Sequence, residues 1–426
     1  MMTDLKPRFP ENEDENRSGL PGQPGSSSVS NEANAISCSG LNPEPYTADH
    51  NIYVHVPFCR HLCCYCAFEK SLNLKKIPMW LDRIVSEASL YCESQRIQNP
   101  QWQIETLYFG GGTPSVLSQR QLEQLATPFL PDLCQDGYEW TIEVNPETVS
   151  SEDLMFYKQL GINRLSIGIQ SFDDGLLDSI GRKHTGRQAQ EIFLQARAAG
   201  FENISADLIF ALPSQSFEQL QNDVEQMIAL APDHISIYSL QIEENSVFGK
   251  QNLQPVDEDL EASEFEWLIE RLKQAGYEHY EISSFALDRH YSRHNLSVWM
   301  GKEYAGIGHG ACGRDSKGFC HHEGSLAFYI KEGSRIDYDD SGFAFVDLML
   351  GFRTQFGVCP EDWNKKYARI CGRDLHQILS PLLIKYPGIF ETFSVQGKER
   401  ISLNEQGREI LNTVLSDLLD LFEPDE

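Results

Sequence analysis

Short apolar runs alternate with segments of helical period from Asn51 to about residue 240. Runs rich in β-branched and aromatic residues predict strands at Ile52–Val56, Thr106–Phe109, Thr141–Val144, Leu165–Ile169, Ile204–Ile209 and Ile235–Leu240. Amphipathic segments between them predict helices near 78–95, 118–129, 151–160, 187–199 and 216–230. Gly161 and Gly200 stand where two of these helices should end. The series predicts an α/β protein with a parallel sheet covered by helices.

Six strand–helix units joined by right-handed crossovers should curl the sheet into a barrel or partial barrel. Residues 258–275 predict one more amphipathic helix. The pattern then becomes less regular over 286–342, which includes a glycine-rich stretch from Gly301 to Gly313. From Phe343 the chain predicts a small, mostly helical domain that ends in a helix from Gly407 to Phe422.

Residues 1–48 differ from the rest in composition. They contain an acidic run from Glu11 to Glu15 and then many Pro, Gly and Ser residues. Because so few apolar residues cannot offset the chain entropy lost on ordering, the segment predicts a disordered tail.

The overall charge narrows the range of partners. The chain carries 63 acidic and 35 basic residues, a formal net charge of −28. This excess argues against a nucleic-acid partner, because phosphate backbones need Lys and Arg. No run of 18 apolar residues and no apolar N-terminal signal is found, so we expect a cytoplasmic protein without a membrane anchor of its own.

The cysteines indicate an intracellular metal site. Four of the 11 cysteines fall between positions 59 and 66, and Cys59, Cys63 and Cys66 have the spacing C-x3-C-x2-C. Thiolates are the ligands of iron–sulfur clusters, and three would leave one iron of a [4Fe–4S] cluster open to a small molecule. A structural zinc site is the alternative, since Cys64 or His61 could supply a fourth ligand. The spacing alone leaves both open.

Distinctive residues follow five consecutive predicted strands. They are the cysteine cluster after the first strand, Gly110–Pro114 after the second, Glu143 near the end of the third, Gln170 after the fourth and Asp207 late in the fifth. The carboxyl ends of parallel strands meet at one edge of a sheet, where ligands bind in such folds. The sequence therefore predicts one ligand site at this edge.

The same segments resemble a known family. The string YVHVPFCRHLCCYC at 53–66 resembles the radical S-adenosylmethionine (SAM) signature of the oxygen-independent coproporphyrinogen III oxidase family. The resemblance covers roughly residues 51 to 422 and runs through GGGTP at 110–114, EVNP at 143–146, GIQSFDD at 168–174, GRKHT at 181–185, DLIFALP at 207–213 and PDHIS at 232–236. It implies a partial (β/α)6 barrel of the radical SAM type over 49–285, then a connecting region at 286–342 and a helical domain at 343–426. In this family the cluster's open iron chelates SAM, and one-electron reduction cleaves SAM to a 5′-deoxyadenosyl radical.

Roles for individual residues follow from the resemblance. Three cysteines, Cys59, Cys63 and Cys66, would bind the cluster, and Tyr53 would lie beside it. The implied SAM contacts are Gly111, Gly112, Thr113, Glu143, Gln170, Arg182 and Asp207. The chemistry agrees, because carboxylates suit the cations and hydroxyls of SAM, an arginine suits its carboxylate, and glycines allow close backbone approach. No catalytic side chain is assigned.

Phe68 separates two branches of the family. The decarboxylating oxidase continues its motif as C-x3-C-x2-C-x-C, and Phe68 stands where the last of these cysteines would be. The change resembles the heme-chaperone branch, called HemW, which binds heme and delivers it to membrane enzymes. RHNL at 293–296 with Trp299, and LMLGFR at 348–353, resemble the chaperone as well.

Three hypotheses are therefore open. The favoured one is a non-enzymatic heme chaperone that also binds the cluster and SAM, with heme and heme-accepting proteins as partners. The second is a coproporphyrinogen III oxidase, and the third is a radical SAM enzyme with another substrate. Dimerisation is implied by the resemblance alone.

Two positions depart from the chaperone pattern: Val298 bears on heme binding, and Cys64 is either an inert neighbour or a spare thiolate that perturbs cluster assembly. The chaperone's H-N-x-x-Y element has Tyr where this chain has Val298, and Cys64 occupies a position that often holds Pro. Imidazole and thiolate both ligate heme iron. The candidate ligands are His294, His309, His321, His322, Cys312 and Cys320.

Overall fold

A computed structural model describes residues 47–339 and 343–422. Six parallel strands form the centre of one large sheet. They are β1 (Asn51–Val56), β2 (Thr106–Gly111), β3 (Glu139–Val144), β4 (Arg164–Gln170), β5 (Ile204–Phe210) and β6 (His234–Ser239). The helices between them are α1 (Ile77–Gln98), α2 (Gln119–Ala126), α3 (Ser151–Leu160), α4 (Asp174–Ser179), α5 (Gly186–Ala198) and α6 (Phe217–Leu230). The predicted α/β class and the six strands are confirmed; α4 was not predicted.

The six strands pair in sequence order, all in parallel. Burial raises the pKa of Tyr108 on β2, and Glu143 and Tyr238 are among the groups that raise it further. Tyr238 on β6 thus lies within electrostatic reach of Tyr108, although four strand spacings of about 4.8 Å would separate them in a flat sheet. The sheet therefore curls around a lumen, as a partial barrel does.

Further strands extend both edges of this sheet. After α7 (Val247–Lys250) and α8 (Glu258–Gln274), β7 (Glu278–Glu281) and β8 (Ser284–Ala286) add to β6 in antiparallel orientation. After α9 (Arg293–Trp299), β9 (Tyr304–Ile307) pairs in parallel with β1. The antiparallel β10 (Cys312–Asp315), β11 (Gly318–Glu323) and β12 (Arg335–Asp339) follow, with α10 (Leu326–Glu332) between the last two. The strand order is β12-β11-β10-β9-β1-β2-β3-β4-β5-β6-β8-β7.

The expectation that 286–342 is irregular is wrong for its described residues, because β9 to β12 lie there. These strands have four to six residues and are rich in Gly, His and charged side chains. They lack the apolar alternation by which a strand is predicted from sequence. Their position at the edge of an existing sheet supplies the pairing that their sequence does not indicate.

The C-terminal region is mostly helical, as predicted. Its helices are α11 (Phe343–Phe352), α12 (Pro360–Cys371), α13 (Leu375–Lys385), α14 (Glu405–Glu409) and α15 (Leu411–Asp420). The predicted helix from Gly407 to Phe422 is therefore divided at Ile410. A hairpin of β13 (Phe390–Val395) and β14 (Lys398–Leu403) was not predicted. Its turn residues, Gln396 and Gly397, have φ of +51° and +81°, as in the tight turns that join hairpin strands.

Local signals explain why the helices begin and end where they do. Five of them start with a reciprocal capping box, at Ser118, Ser150, Thr185, Ser216 and Asp374. The predicted stops are confirmed, since Gly161 and Gly200 have φ of +107° and +88°.

The predicted tail falls almost wholly outside the described residues. Of the part that is described, Ala48 is fully buried and its N–H donates to Ser297 Oγ at 2.8 Å. No helix within 47–339 or 343–422 has the length and apolar character needed to cross a membrane.

Glu139, the first residue of β3, holds the start of α9 in place. Its buried carboxylate accepts the backbone N–H groups of Arg293 and His294, both at 2.9 Å, where α9 begins. The two N–H groups belong to the helix N-terminus, which favours a negative charge. This contact joins residues 154 positions apart and holds the start of α9, including His294, against the amino end of β3.

We predict that Glu139→Ala lowers the free energy of unfolding by about 2 kcal/mol, because two buried N–H groups lose a charged acceptor. Urea unfolding followed by circular dichroism in oxygen-free buffer measures this. Glu123→Ala, on the exposed face of α2, is the control and should change stability by less than about 0.5 kcal/mol. Equal stabilities of the two variants would contradict the prediction.

Candidate cofactor site

The loop after β1 carries the three predicted cysteine ligands and is pinned at its base. The N–H of Cys59 donates to the Ser71 carbonyl at 3.1 Å, and the N–H of Ser71 donates to the Pro57 carbonyl at 2.8 Å. These two bonds hold the ends of the loop together beside the carboxyl end of β1.

Each of the three thiols accepts a hydrogen bond from a different side chain. The donors are the Thr113 hydroxyl to Cys59 at 3.4 Å, the Arg182 guanidinium to Cys63 at 3.7 Å and the Lys70 ammonium to Cys66 at 3.3 Å. Two of the donors are cations, which favour thiolates. The predicted residues Thr113 and Arg182 are thus brought to the cysteines.

Asn145 connects two of these donors. Its side-chain amide donates to Thr113 Oγ1 at 3.1 Å, and its carbonyl accepts from Arg182 at 2.8 Å. A continuous series of hydrogen bonds therefore runs from Cys59 to Cys63. Asn145 belongs to the motif at 143–146, but its pattern predicted no role for it; Lys70, four residues after Cys66, was not predicted either.

The thiols differ in their ease of ionisation. Burial raises the pKa of Cys59 to about 11. Burial also opposes ionisation of Cys63, but His61 and Arg182 outweigh it, so the pKa of Cys63 is lowered. Cys63 is therefore much more readily ionised than Cys59.

Cys64 packs in an apolar cluster, apart from the three predicted ligand cysteines of the same loop. Its neighbours there include Ile180, Leu212 and Phe248. Its N–H donates to the Ile180 carbonyl at 2.9 Å, and its carbonyl accepts from the N–H of Phe248 at 3.0 Å. Burial raises its pKa. These contacts are those of a packing residue.

His61, the other alternative fourth zinc ligand, contacts the largely enclosed carboxylate of Glu147. Its Nε2 lies 3.0 Å from Glu147, and the same carboxylate lies 3.1 Å from Nδ1 of the buried His184. Burial opposes ionisation of Glu147, but His184 and Arg182 outweigh it, so that the pKa of Glu147 is lowered to about 2. In the described part of the chain, no three His, Cys, Asp or Glu side chains converge as ligands of a single metal ion.

The glycines at the end of β2 form a cradle without room for side chains. Gly111 has φ of +107°, and a Cβ on it would lie 2.5 Å from the His55 ring. A Cβ on Gly112 would lie 2.8 Å from the Val56 carbonyl oxygen. Only glycine fits both positions, which leaves the backbone open to the lumen.

Glu143 on β3 bridges two residues of the neighbouring strand β2. One carboxylate oxygen accepts from the Tyr108 hydroxyl at 2.9 Å, and the other accepts from the N–H of Gly111 at 3.1 Å. Burial raises the pKa of Glu143 to about 7, and nearby Asp207 adds to the effect. The predicted Tyr53 packs alongside, with its ring centroid 6.0 Å from that of Tyr108.

Asp207 and Gln170 lie on neighbouring strands of the same wall. Asp207 accepts from Ser166 at 3.0 Å and from Ser205 at 3.2 Å, and burial raises its pKa. Gln170 lies at an irregularity between β4 and β5 and has φ of +70°. A non-glycine residue with positive φ is uncommon and often marks a functional position.

Comparison with known proteins decides the family. The Radical SAM superfamily matches residues 53–227. The chain is 33% identical to the heme chaperone HemW of Lactococcus lactis, with 87% of this chain and 97% of that protein covered. It is 31% identical to the heme chaperone HemW of Bacillus subtilis, with 86% and 98% covered. This chain belongs to the HemW family. The resemblance inferred from sequence is thus confirmed.

The fold of this HemW family member is also that of a solved structure. Coproporphyrinogen III oxidase (HemN) from Escherichia coli, a radical SAM enzyme, aligns with a TM-score of 0.70 and 20% identity. The alignment covers 88% of this chain and 91% of that chain. The predicted radical SAM fold with a helical C-terminal region is therefore confirmed.

We predict that Glu143→Gln changes the pH dependence of stability in this HemW family member. Between its ordinary pKa of 4.5 and its folded value of about 7, Glu143 keeps its proton in the folded chain and loses it in the unfolded chain. The contribution of Glu143 to the free energy of unfolding of the wild type therefore falls as pH rises through this window. Relative to wild type, the glutamine variant should gain on the order of 1–2 kcal/mol from pH 5 to pH 8. Urea unfolding at both pH values tests this, with Glu123→Gln as control; parallel pH profiles would contradict it.

Proposed function

We propose that this chain is a heme chaperone of the HemW type, which binds heme and passes it to acceptor proteins. The observation that carries the proposal is the match over 97% and 98% of the length of two proteins named as heme chaperones. Phe68 supports it, because the oxidase motif has a further cysteine at that position. The Phe68 side chain is 44% exposed on the cysteine loop, where it provides no ligand.

In this proposal, Cys59, Cys63 and Cys66 hold a [4Fe–4S] cluster. The surroundings fit, because each sulfur already has its own O–H or N–H donor. Hydrogen bonds to the sulfurs are one means by which proteins tune such clusters. When bound, the cluster supplies an open iron for SAM and one electron for its reduction.

The lumen fits SAM on two further grounds. Glu143 and Asp207 are partly buried carboxyl groups with raised pKa values, and a sulfonium, an ammonium or ribose hydroxyls would stabilise their charged forms. Gly111 and Gly112 leave the backbone free for close approach. Tyr53, Thr113 and Gln170 complete the contacts that we propose.

Arg182 has two partners that refine its predicted role. Its guanidinium donates to the Gly168 carbonyl at 2.7 Å and to Asn145, besides Cys63. Its buried Nε has no partner in the described residues and is left for another acceptor. We propose that Arg182 positions Cys63 and directs its unpaired Nε–H toward the SAM carboxylate.

The proposal extends to partners and location. Heme is the cargo, and the acceptors are heme proteins that include membrane-bound respiratory enzymes. We propose a cytoplasmic protein that forms homodimers, transfers heme as its main role and uses the cluster and SAM in assembly or regulation.

Replacing Cys59, Cys63 or Cys66 by Ala should abolish the cluster. Wild type, reconstituted without oxygen, should hold about four irons per chain, and each variant less than about one. Iron analysis and visible absorption measure this. Cys64→Ala is the matched control, because Cys64 lies in the same loop but packs in the apolar cluster. Normal iron in a variant with all three cysteines replaced by Ala, or zinc in wild type, would refute the assignment.

Purified protein should bind heme and should not turn over coproporphyrinogen III. The physical reason is that the loop offers Phe68 in place of the further motif cysteine. A hemin titration, beside an assay with coproporphyrinogen III, SAM and a reductant, separates the chaperone from the oxidase. Clear formation of protoporphyrinogen would favour the oxidase and overturn the proposal.

A further inference from the structure

Cys312 and His321 form a pair on the strands that extend the sheet beyond β9. They are directly opposite each other in the antiparallel register of β10 and β11, so their side chains share one face. Cys312 Sγ lies 3.1 Å from His321 Nδ1. Both side chains are partly exposed.

This face of β10 and β11 is the lumen face. Arg314 pairs with Tyr304 on β9, and Tyr304 pairs with Asn51 on β1. Because side chains alternate along a strand, Cys312 is on the face of Arg314, and Tyr53 is on the face of Asn51. The Cys312–His321 pair therefore lies on the same wall of the lumen as Tyr53.

Electrostatic contacts agree with this placement. Burial raises the pKa of Tyr53 well above its usual range, and Glu143 and Cys312 add to the effect. Tyr53 thus lies within reach of both the proposed SAM site and Cys312. A ligand bound at His321 would be beside that site, at the edge of the lumen.

The pair has the arrangement of a metal-binding imidazole. A histidine that ligates a metal usually donates its other ring N–H to a neighbouring acceptor, which fixes the tautomer and the ring orientation. With the proton on Nδ1, His321 donates to the Cys312 sulfur and keeps the Nε2 lone pair for iron. Within residues 47–339 and 343–422, Nε2 of His321 has no hydrogen-bond partner.

Two of the other candidate imidazoles are hydrogen-bonded inside the fold. His294 is 4% exposed, and its Nδ1 lies 2.8 Å from the Thr106 hydroxyl. His322 points to the helix side of β11, where its Nδ1 lies 2.8 Å from the Ser334 hydroxyl and 3.5 Å from Glu87.

His309 and Cys320 are also less suited to iron. His309 is 4% exposed and packs against the Tyr329 ring, with a centroid separation of 6.2 Å. Cys320 is opposite Gly313, on the face of β11 away from the lumen. Of the six candidates, His321 combines partial exposure, the lumen face and an unused ring nitrogen.

We propose that His321 is an axial ligand of heme iron and that Cys312 positions its ring. The inference rests on the proposed function, in which heme is the cargo. Neutral imidazole is a common ligand of heme iron. A partly exposed ligand near the edge of the sheet suits a cargo that must be handed on, since the iron can exchange this ligand without opening the core.

The test is a titration of the full chain with hemin, followed by Soret absorption and by electron paramagnetic resonance. His321→Ala should weaken binding by about tenfold or more and remove the imidazole-ligated signal. Cys312→Ser should weaken binding by only about threefold, because a hydroxyl still accepts from Nδ1. His376→Ala, at a half-exposed ring on α13, is the matched control and should behave as wild type.

Controls separate the possible failures. His321→Met keeps an iron ligand, so it should bind hemin with a shifted Soret band. Cluster content and melting temperature, measured on every variant, distinguish loss of a ligand from loss of the fold. Wild-type binding with an unchanged His321→Ala spectrum and affinity would overturn the inference but leave the proposed function standing. No hemin binding by wild type would reject the proposed function, and the inference with it.

Discussion

The hydrogen-bond series from Cys59 through Thr113, Asn145 and Arg182 to Cys63 is the constraint on which the site depends. Its members come from the loops after β1, β2 and β3 and from the segment after α4. A thiol that must bind a cluster needs an orientation before the cluster arrives, and a partly buried amide with two partners provides it. Asn145 can do this because an amide donates and accepts at once. Asp would lack the donor and Leu would lack both groups.

The lumen carries a second constraint, which is electrostatic. Glu143 and Asp207 lie close together, and burial raises the pKa of both. Two such carboxyl groups hold their protons more firmly than exposed ones, and a bound cation would reverse this. Their wall is therefore adapted to a positively charged or hydroxyl-rich ligand. On the loop side, by contrast, Lys70 and Arg182 face the thiols. The carboxyl groups and the basic side chains are thus contributed by different parts of the site.

The sequence predicts the strands and helix ends of this molecule better than the contacts between residues that are distant in the chain. The six strands, the stops at Gly161 and Gly200 and the three cysteines follow from local patterns that lie within a few residues. Asn145 does not, because its partners at 113 and 182 are distant in the chain and its place before Pro146 resembles an ordinary turn. The strands β9 to β12 are missed for a related reason, since their pairing comes from the edge that β1 presents. Contacts made by tertiary structure leave weak local signals.

The departure at Val298 bears on the role that we propose for Cys312 and His321. Val298 lies on α9, whose His294 is enclosed by Thr106 and by the rings of Tyr53 and Tyr108. Burial lowers the pKa of His294 to about 3, so the ring stays neutral. Because the ring is enclosed, a large planar ligand cannot reach it. Without the tyrosine, α9 offers little to a porphyrin at this position. The imidazole of His294 on α9 stays in the core. The partly exposed imidazole of His321, on the same wall of the lumen as Tyr53, is instead open to iron.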